Sequence, residues 1–164
     1  MKHCLCLLLL AIGSALAFVK VTSDGSCAKQ WTEIGVSCYR YFSKPMTFEK
    51  ADLKCKTSFS SRLASIHSKE EACSLAKFAA SQKPKANIWI GLTDLSMKFY
   101  VFQWTDRTRF NLEAWEKGQP AKKPKEHCAQ LLSSSGFLRW GTKDCDIPSP
   151  YICKYTPHRM LDKC

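Results

Sequence analysis

The sequence predicts one small, disulfide-bonded α+β domain, and three observations lead to that prediction. Two amphipathic helix patterns lie in the first half of the chain, short apolar strand patterns dominate the second half, and ten of the 164 residues are cysteine. Helices followed by strands in a chain of this length are typical of an α+β fold. Ten cysteines indicate an oxidising compartment, where disulfide bonds persist. A hydrophobic content of 45% excludes a disordered or collagen-like chain.

Residues 1–17 are interpreted as a secretory signal peptide. Lys2 and His3 form a polar start, residues 5–12 are an apolar run, and Ala15-Leu16-Ala17 is a small-residue cleavage site. Because the run is shorter than the ~20 apolar residues that span a bilayer, we expect no membrane span and a secreted, extracellular product. The remaining chain is divided into a leader at 18–26, a domain at 27–155 and a C-terminal tail at 156–164.

The domain is predicted to begin with a hairpin followed by two helices. Gly35 marks the turn between strand-like residues 31–34 and 37–42. Thr47 caps a first helix over residues 47–58. Ser68 starts a second helix with a capping box, Ser68-Lys69-Glu70-Glu71, and this helix ends before Pro84. The residues expected on the buried helix faces are Phe48, Ala51 and Cys55 in the first helix and Ala72, Leu75, Ala76 and Ala79 in the second.

Strands are predicted for most of the remaining chain. The apolar, β-branched or aromatic segments are residues 87–92, 99–104, 128–132, 137–140 and 151–155. Between them, residues 107–126 form a long, polar, lysine-rich loop with Trp115 as its main apolar anchor. Tryptophans in such strands are usually core residues, so we expect Trp89, Trp104, Trp115 and Trp140 in the core rather than as platforms for sugar rings.

Several motifs, and their order along the chain, resemble the C-type lectin-like domain. They are Trp-Ile-Gly-Leu at 89–92, the Cys128…Trp140…Cys145…Cys153 array and the paired early helices. Segments 62–72, 135–140 and 151–155 are most similar to the regenerating (lithostathine-like) proteins and to the eggshell-matrix C-type lectin-like proteins. The resemblance covers residues 27–155. It implies two short helices, small antiparallel sheets and a long loop, held together by disulfides.

The resemblance also implies three disulfide bonds, Cys27–Cys38, Cys55–Cys153 and Cys128–Cys145. Cys73 and Cys164 depart from the family pattern. The even number of cysteines left after the signal peptide favours a bridge between these two, and a link between two chains is the alternative. We therefore expect a monomer rather than a disulfide-linked dimer.

Sugar-binding members of this family hold Ca²⁺ with side-chain oxygens, and most of those oxygens are missing here. Gln119 and Pro120 match the family's proline-containing triplet, with the proline expected in cis, but Ala121 replaces its last ligand. Glu126 matches the expected glutamate, whereas Trp140-Gly141-Thr142 replaces Trp-Asn-Asp. Because Ca²⁺ takes about six to eight oxygens, we expect neither calcium nor another cofactor or metal.

Basic residues surround the same loop and predict a different kind of ligand. No acidic residue lies between positions 117 and 125, Arg107 and Arg109 open the loop, and the formal net charge is +11. This pattern favours carbohydrate or anionic ligands such as sulfated glycans or microbial polymers, although charge that only keeps a loop soluble is the alternative. The basic surface is formed by Lys117, Lys122, Lys123, Lys125, Arg139 and Lys143.

Other functions find less support in the sequence. An enzyme is not expected, because His67, His127 and His158 fall in no metal motif and no Gly-x-Ser-x-Gly motif occurs; His127 is expected at the surface. Nucleic acid is not an expected partner of a secreted, disulfide-rich domain. A matrix protein that binds calcium carbonate is one alternative. A venom-type lectin-like subunit is another, although the long loop lacks the cysteine that commonly joins such subunits.

Overall fold

The computed structural model describes residues 27–94, 96, 101–121 and 123–157. The proposed signal peptide, the leader and most of the tail lie outside the described residues. The elements, in chain order, are β1 (Thr32–Ile34), β2 (Ser37–Met46), α1 (Phe48–Phe59), β3 (Arg62–Leu63), α2 (Lys69–Ser81), β4 (Ile88–Asp94), β5 (Phe102–Trp104), β6 (Cys128–Leu131), a 3-10 turn (Ser133–Ser135), β7 (Trp140–Lys143) and β8 (Ser149–Tyr155).

The strands form one sheet with the order β1-β2-β8-β4-β6-β7, in which β3 pairs with β8 and β5 pairs with β4. Most of the pairings are antiparallel. A parallel pairing, of Trp89 with Tyr151, joins β4 to β8. This pairing connects the small antiparallel sheets that the sequence predicts into a single mixed sheet. All seven residues of β4 are buried, so this strand lies at the centre of the fold.

Both predicted helices are present, with small differences at their ends. In α1 the buried residues are those predicted, and Thr47 is the N-cap, although its side chain makes no capping hydrogen bond. In α2 the hydroxyl of Ser68 accepts a hydrogen bond from the backbone N–H of Glu71 at 3.1 Å, as the capping box requires. The carboxylate of Glu71 instead accepts from the N–H of His67 at 2.7 Å, one residue before the N-cap.

One predicted strand is wrong, and most of the other strands begin or end one to four residues away from their predicted bounds. β7 begins at Trp140 rather than at Phe137, because the chain turns through the 3-10 segment and then through positive φ at Gly136 and Phe137. The apolar character of Phe137 reflects its burial in the core and not strand conformation. β8 begins two residues earlier than predicted, at Ser149. β5 is observed from Phe102, while residues 99 and 100 lie outside the described residues.

The three disulfide bonds implied by the family resemblance are confirmed. They join Cys27 to Cys38, Cys55 to Cys153 and Cys128 to Cys145. The second bond links α1 to β8 across a sequence separation of 98 residues. Cys73 is exposed on α2, and the bridge predicted between it and Cys164 remains untested because Cys164 lies outside the described residues.

Aromatic residues fill the core, as the sequence predicts. Trp89, Trp104 and Trp140 are at most 1% exposed. Trp115 is partly buried, and its ring packs edge-on against those of Phe102 and Trp140, with centroids 4.9 and 5.9 Å apart. Trp115 therefore anchors the long loop to the core, and the strand tryptophans are not available to stack on sugars.

A partly buried charge network ties α2 to β8 and β2. The ammonium group of Lys154 lies 2.7 Å from Oε1 of Glu71, and the hydroxyl of Tyr39 donates to the same oxygen. Burial opposes ionisation of Glu71, but hydrogen bonds from Lys154, Tyr39 and the His67 N–H outweigh it and hold the pKa of the carboxyl below its usual value of 4.5. Burial and the hydrogen bond to Glu71 raise the pKa of Tyr39.

The lowered pKa of Glu71 predicts acid sensitivity of the fold. Its contribution to stability is complete above the unfolded-state pKa and is lost as pH falls through the lower, folded-state pKa. We therefore expect the melting temperature to decrease as pH falls from about 5 to about 3, and Glu71→Gln to make that decrease shallower. Thermal unfolding followed by circular dichroism across this range is the measurement. An unchanged pH dependence in Glu71→Gln would contradict the assignment.

Candidate binding site in the long loop

The long loop between β5 and β6 is fixed to β7 by backbone pairing. The N–H of Trp140 donates to the carbonyl of Ala114 at 2.8 Å, and the N–H of Glu116 donates to the carbonyl of Trp140 at 2.8 Å. These bonds form an isolated parallel bridge between Trp115 and Trp140. The segment that follows, which includes Gln119, is thereby held beside β7.

Gln119 fastens this segment through its side-chain oxygen. Oε1 accepts hydrogen bonds from the backbone N–H and the hydroxyl of Thr142, at 2.8 and 3.0 Å, and from the N–H of Ala121 at 3.0 Å. The hydroxyl oxygen of Thr142 also accepts from the N–H of Ala121, at 2.8 Å. The Gln119–Pro120 peptide bond is cis, as the family resemblance implies. The oxygen of Gln119 is thus fully occupied in joining the loop to β7.

Glu126 has a basic neighbour rather than a set of other oxygen ligands. Its carboxylate lies 3.8 Å from the ammonium group of Lys123, and its side chain is 19% exposed. The backbone N–H of Glu126 donates to the carbonyl of Lys123, which closes a tight turn. Lys123 therefore neutralises the one carboxylate that the family's metal motif retains here.

The residues at the five expected ligand positions do not fit a calcium ion. Ala121 and Gly141 offer no side-chain oxygen, Gln119 and Thr142 use theirs on each other, and Glu126 is paired with Lys123. Ca²⁺ requires about six to eight oxygens. Among the described residues, no group of three or more His, Cys, Asp or Glu side chains could hold a metal ion.

The basic surface is only partly assembled around the loop. Lys117, Lys123 and Lys125 are exposed on the loop. Lys143 lies at the end of β7, where it pairs with Cys128, and Cys128 follows Glu126 by two residues. Arg139 is exposed just before the other end of β7, about 13 Å away at the usual rise per strand residue. Lys122 lies outside the described residues. The structure therefore divides these side chains between the two ends of β7.

His127 is buried rather than at the surface, which corrects the sequence-based expectation. It is 6% exposed, and its Nδ1 lies 3.5 Å from Oδ2 of the fully buried Asp94. Its carbonyl accepts the N–H of Asp94 at 2.9 Å, which continues the pairing of β4 with β6. The local sequence gives no signal for this burial, because the partner lies 33 residues earlier in the chain.

The role of Gln119 leads to a testable prediction. Gln119→Ala removes an acceptor from three partly buried donors, so we expect the free energy of unfolding to decrease by about 1–3 kcal/mol. Gln119→Glu keeps the accepting oxygens and should lose less. Urea unfolding of the two variants and the parent measures the effect. Equal stability of Gln119→Ala and the parent would contradict this role.

Comparison with known proteins identifies the family. Residues 44–155 match the family model of the lectin C-type domain. The protein belongs to the C-type lectin domain family. Members of this family are non-enzymatic binding proteins, so the expectation that the chain is not an enzyme is confirmed.

Two curated relatives cover most of the chain. The human regenerating islet-derived protein 4 is 34% identical over 155 residues, which is 91% of this chain and 96% of the relative. A C-type lectin of Micrurus corallinus is 34% identical over 132 residues, which is 79% of this chain and 83% of the relative.

Solved structures agree with this assignment. Human lithostathine has a TM-score of 0.75 and 27% identity and covers 80% of this chain and 91% of its own. Ovocleidin-17, from the Gallus gallus eggshell calcified layer, has a TM-score of 0.72 and 22% identity and covers 80% of this chain and 99% of its own, which shows a shared fold.

Among the described residues, no helix is long and apolar enough to cross a membrane.

Proposed function

We propose that the protein is a secreted C-type lectin-like protein that binds sulfated glycans or other anionic polymers through the basic surface, without calcium. The most direct support is that the side-chain oxygens at the family's calcium positions are already bonded within the protein. Gln119 and Thr142 bind each other, Glu126 is paired with Lys123, and further lysines of the loop are exposed. The three disulfides are typical of extracellular proteins.

Electrostatics favours anions at this surface. Lys117 and Lys125 are exposed, and their charges therefore act on ligands in solution. The carboxylates nearest in sequence are Glu116, whose Oε1 accepts the N–H of Lys117, and Glu126, which neutralises Lys123. Because solvent-exposed charges are screened by salt, binding through this surface should weaken strongly as ionic strength rises.

Charge reversal tests the proposal. In buffer containing EDTA, we expect the protein to be retained on a heparin column, and the triple variant Lys122→Glu, Lys123→Glu and Lys125→Glu to elute at markedly lower salt. The matched control reverses three exposed lysines that lie on neither the loop nor β7, Lys29, Lys50 and Lys54, and changes the net charge equally. Equal loss of retention in both variants would indicate a nonspecific charge effect and would contradict a site in the loop.

A calcium titration tests the other half of the proposal. A ligand that binds only the folded state raises the melting temperature, so an absent calcium site predicts no shift. We expect about 5 mM CaCl₂ to leave the melting temperature unchanged relative to EDTA and to equal amounts of MgCl₂. A rise specific to calcium that EDTA reverses would overturn calcium independence.

The two alternative functions carry less support. Likeness to ovocleidin-17 at 22% identity shows the fold alone and gives no argument for mineral binding. A venom-type subunit would need a cysteine in the stretch from position 93 to 125 to join another chain in the common way, and that stretch contains none. We therefore keep the anionic polymer as the proposed ligand class.

A further inference from the structure

A groove lies beside β1, β2 and the end of β8, away from the edge strand β7 that carries part of the basic surface. It has a volume of about 710 Å³ and is lined by residues from 34–37, 60–74, 106–108 and 154–156. We refer to it as the hydroxyl groove. Its volume falls in the range of about 300–1,000 Å³ that is usual for small-molecule sites. None of the basic-surface residues lines it, and three strand spacings, about 14 Å, separate β8 from β7.

The basic side chains of the groove are already paired with carboxylates. Lys154 is bound to Glu71 at 2.7 Å, and Arg62 makes two hydrogen bonds to Asp52, at 3.0 and 2.5 Å. Asp106 accepts hydrogen bonds from the hydroxyl of Ser65 and from Thr108. Both cations that line the groove in the described part of the chain therefore have a carboxylate partner, and neither demands an ionic ligand.

The net charge of the lining also argues against an anion. Two basic residues line the groove, Arg62 and Lys154, against three acidic ones, Glu70, Glu71 and Asp106. The difference, 2 − 3, is −1, while the whole chain carries +11. An anionic polymer should accordingly prefer the basic surface to this groove.

Hydroxyl groups dominate what remains. Nine of the eighteen lining residues are Ser, Thr or Tyr. The hydroxyls of Ser61, Ser65 and Thr108 already donate to acceptors within the protein. Those of Ser68 and Tyr155 accept backbone N–H groups and keep their own hydrogen for another acceptor. Because a hydroxyl has one donor and two acceptor positions, the positions left over can bind ligand hydroxyls. At one end, Val36 is 62% exposed beside the half-buried Ile34, which offers an apolar contact. Paired hydroxyls next to a small apolar surface suit the polar edges and C–H face of a sugar ring.

The walls of the groove are held rigid before any ligand binds. Lys154 donates to the carbonyl of Ser65 at 2.9 Å as well as to Glu71, and the Cys55–Cys153 disulfide fixes β8 at the neighbouring residue. The hydroxyls of Ser37 and Thr156 lie 2.9 Å apart. A preformed site loses little conformational entropy on binding, so a short oligosaccharide that makes few contacts can still bind to it.

From these observations we infer that the hydroxyl groove is a second binding site, which takes an uncharged oligosaccharide without a metal ion. It is independent of the basic surface, because the two share no lining residue and bind different ligands, an uncharged sugar in the groove and an anionic polymer at the basic surface. One chain could then hold a neutral sugar and an anionic polymer at the same time.

Titration of the ¹⁵N-labelled, disulfide-intact chain with maltotriose, mannotriose and chitotriose tests this inference. We expect at least one of these trisaccharides to shift the amide resonances of Gly35, Ser61 and Thr156, with those of Ala121 and Lys125 unchanged. Ser74→Trp places a bulky ring at the exposed α2 wall of the groove and should raise the Kd about tenfold. Ala80→Trp is the matched control on an exposed α2 position outside the lining, and should bind normally.

The outcomes separate this inference from the proposed function. No shift with any of the three sugars at about 20 mM, near the weak limit of specific binding, would overturn the second site. Shifts confined to residues 117–126, or an unchanged Kd in Ser74→Trp, would overturn it as well. Heparin in the same titration should shift the loop amides instead. Loss of the heparin effect with retained trisaccharide binding would refute the proposed function alone.

Discussion

Replacing both Cys55 and Cys153 with alanine is expected to lower the free energy of unfolding by about 4–5 kcal/mol. The bond closes a loop of 98 residues, so the chain-entropy model assigns it a large constraint on the unfolded state. Both cysteines are fully buried, between α1 and β8, and the substitution also removes packed sulfur atoms from the core. The domain should be close to unfolded at 37 °C without this bond.

Guanidinium unfolding of the double variant and of a matched control measures the effect. The control replaces Cys27 and Cys38, whose separation of 11 residues predicts a smaller loss of about 3 kcal/mol. If the Cys27 and Cys38 variant proved the less stable of the two, loop length would not be the main source of stabilisation.

Glu71→Ala is expected to destabilise the fold by about 3–5 kcal/mol. The substitution leaves the ammonium group of Lys154, whose side chain is 10% exposed, without its carboxylate. It also removes the acceptor of the Tyr39 hydroxyl and of the His67 N–H. The loss of the carboxylate partner of this largely buried charge accounts for most of the expected loss, since Lys154 keeps only its hydrogen bonds to Ser65.

A double-mutant comparison isolates the charge effect. Lys154→Met in addition to Glu71→Ala removes the unpaired ammonium and should recover part of the lost stability. Glu70→Ala is the control, because Glu70 is the neighbouring acidic residue on α2 and is exposed. Thermal and urea unfolding near pH 7 are the measurements. If the double variant were less stable than Glu71→Ala, the unpaired charge would not explain the loss.

Local patterns were sufficient to predict the helices and the aromatic core. The spacing of Phe48, Ala51 and Cys55 predicts the buried face of α1, and Ser68 predicts the start of α2. The disulfides followed from the family resemblance rather than from spacing. The spacing of apolar residues in the sequence predicts which side chains are buried more reliably than it predicts the backbone conformation at those positions. Phe137 illustrates the difference, since it is buried at positive φ outside any strand.

The candidate sites were less predictable because they depend on contacts between distant segments. The sequence marks Gln119 through the family motif, but only the structure shows that its oxygen accepts hydrogen bonds from Thr142, 23 residues later. His127 is buried through its pairing with Asp94 on another strand. The hydroxyl groove joins four separate segments of the chain, and the only motif among them, the capping box at 68–71, predicts a helix start and not a binding site.

Gly141 restricts how metal ligation could be engineered into this loop. A Cβ atom at this position would lie 3.1 Å from both terminal carbons of Leu132 and 3.4 Å from Cδ of Gln119. An asparagine introduced there would press on the side chain that anchors the loop before it could contribute a ligand. Ligand side chains could therefore be introduced at this position only if Leu132 and Gln119 move by a few tenths of an ångström, and the movement of Gln119 acts directly on the bonds that hold the loop to β7.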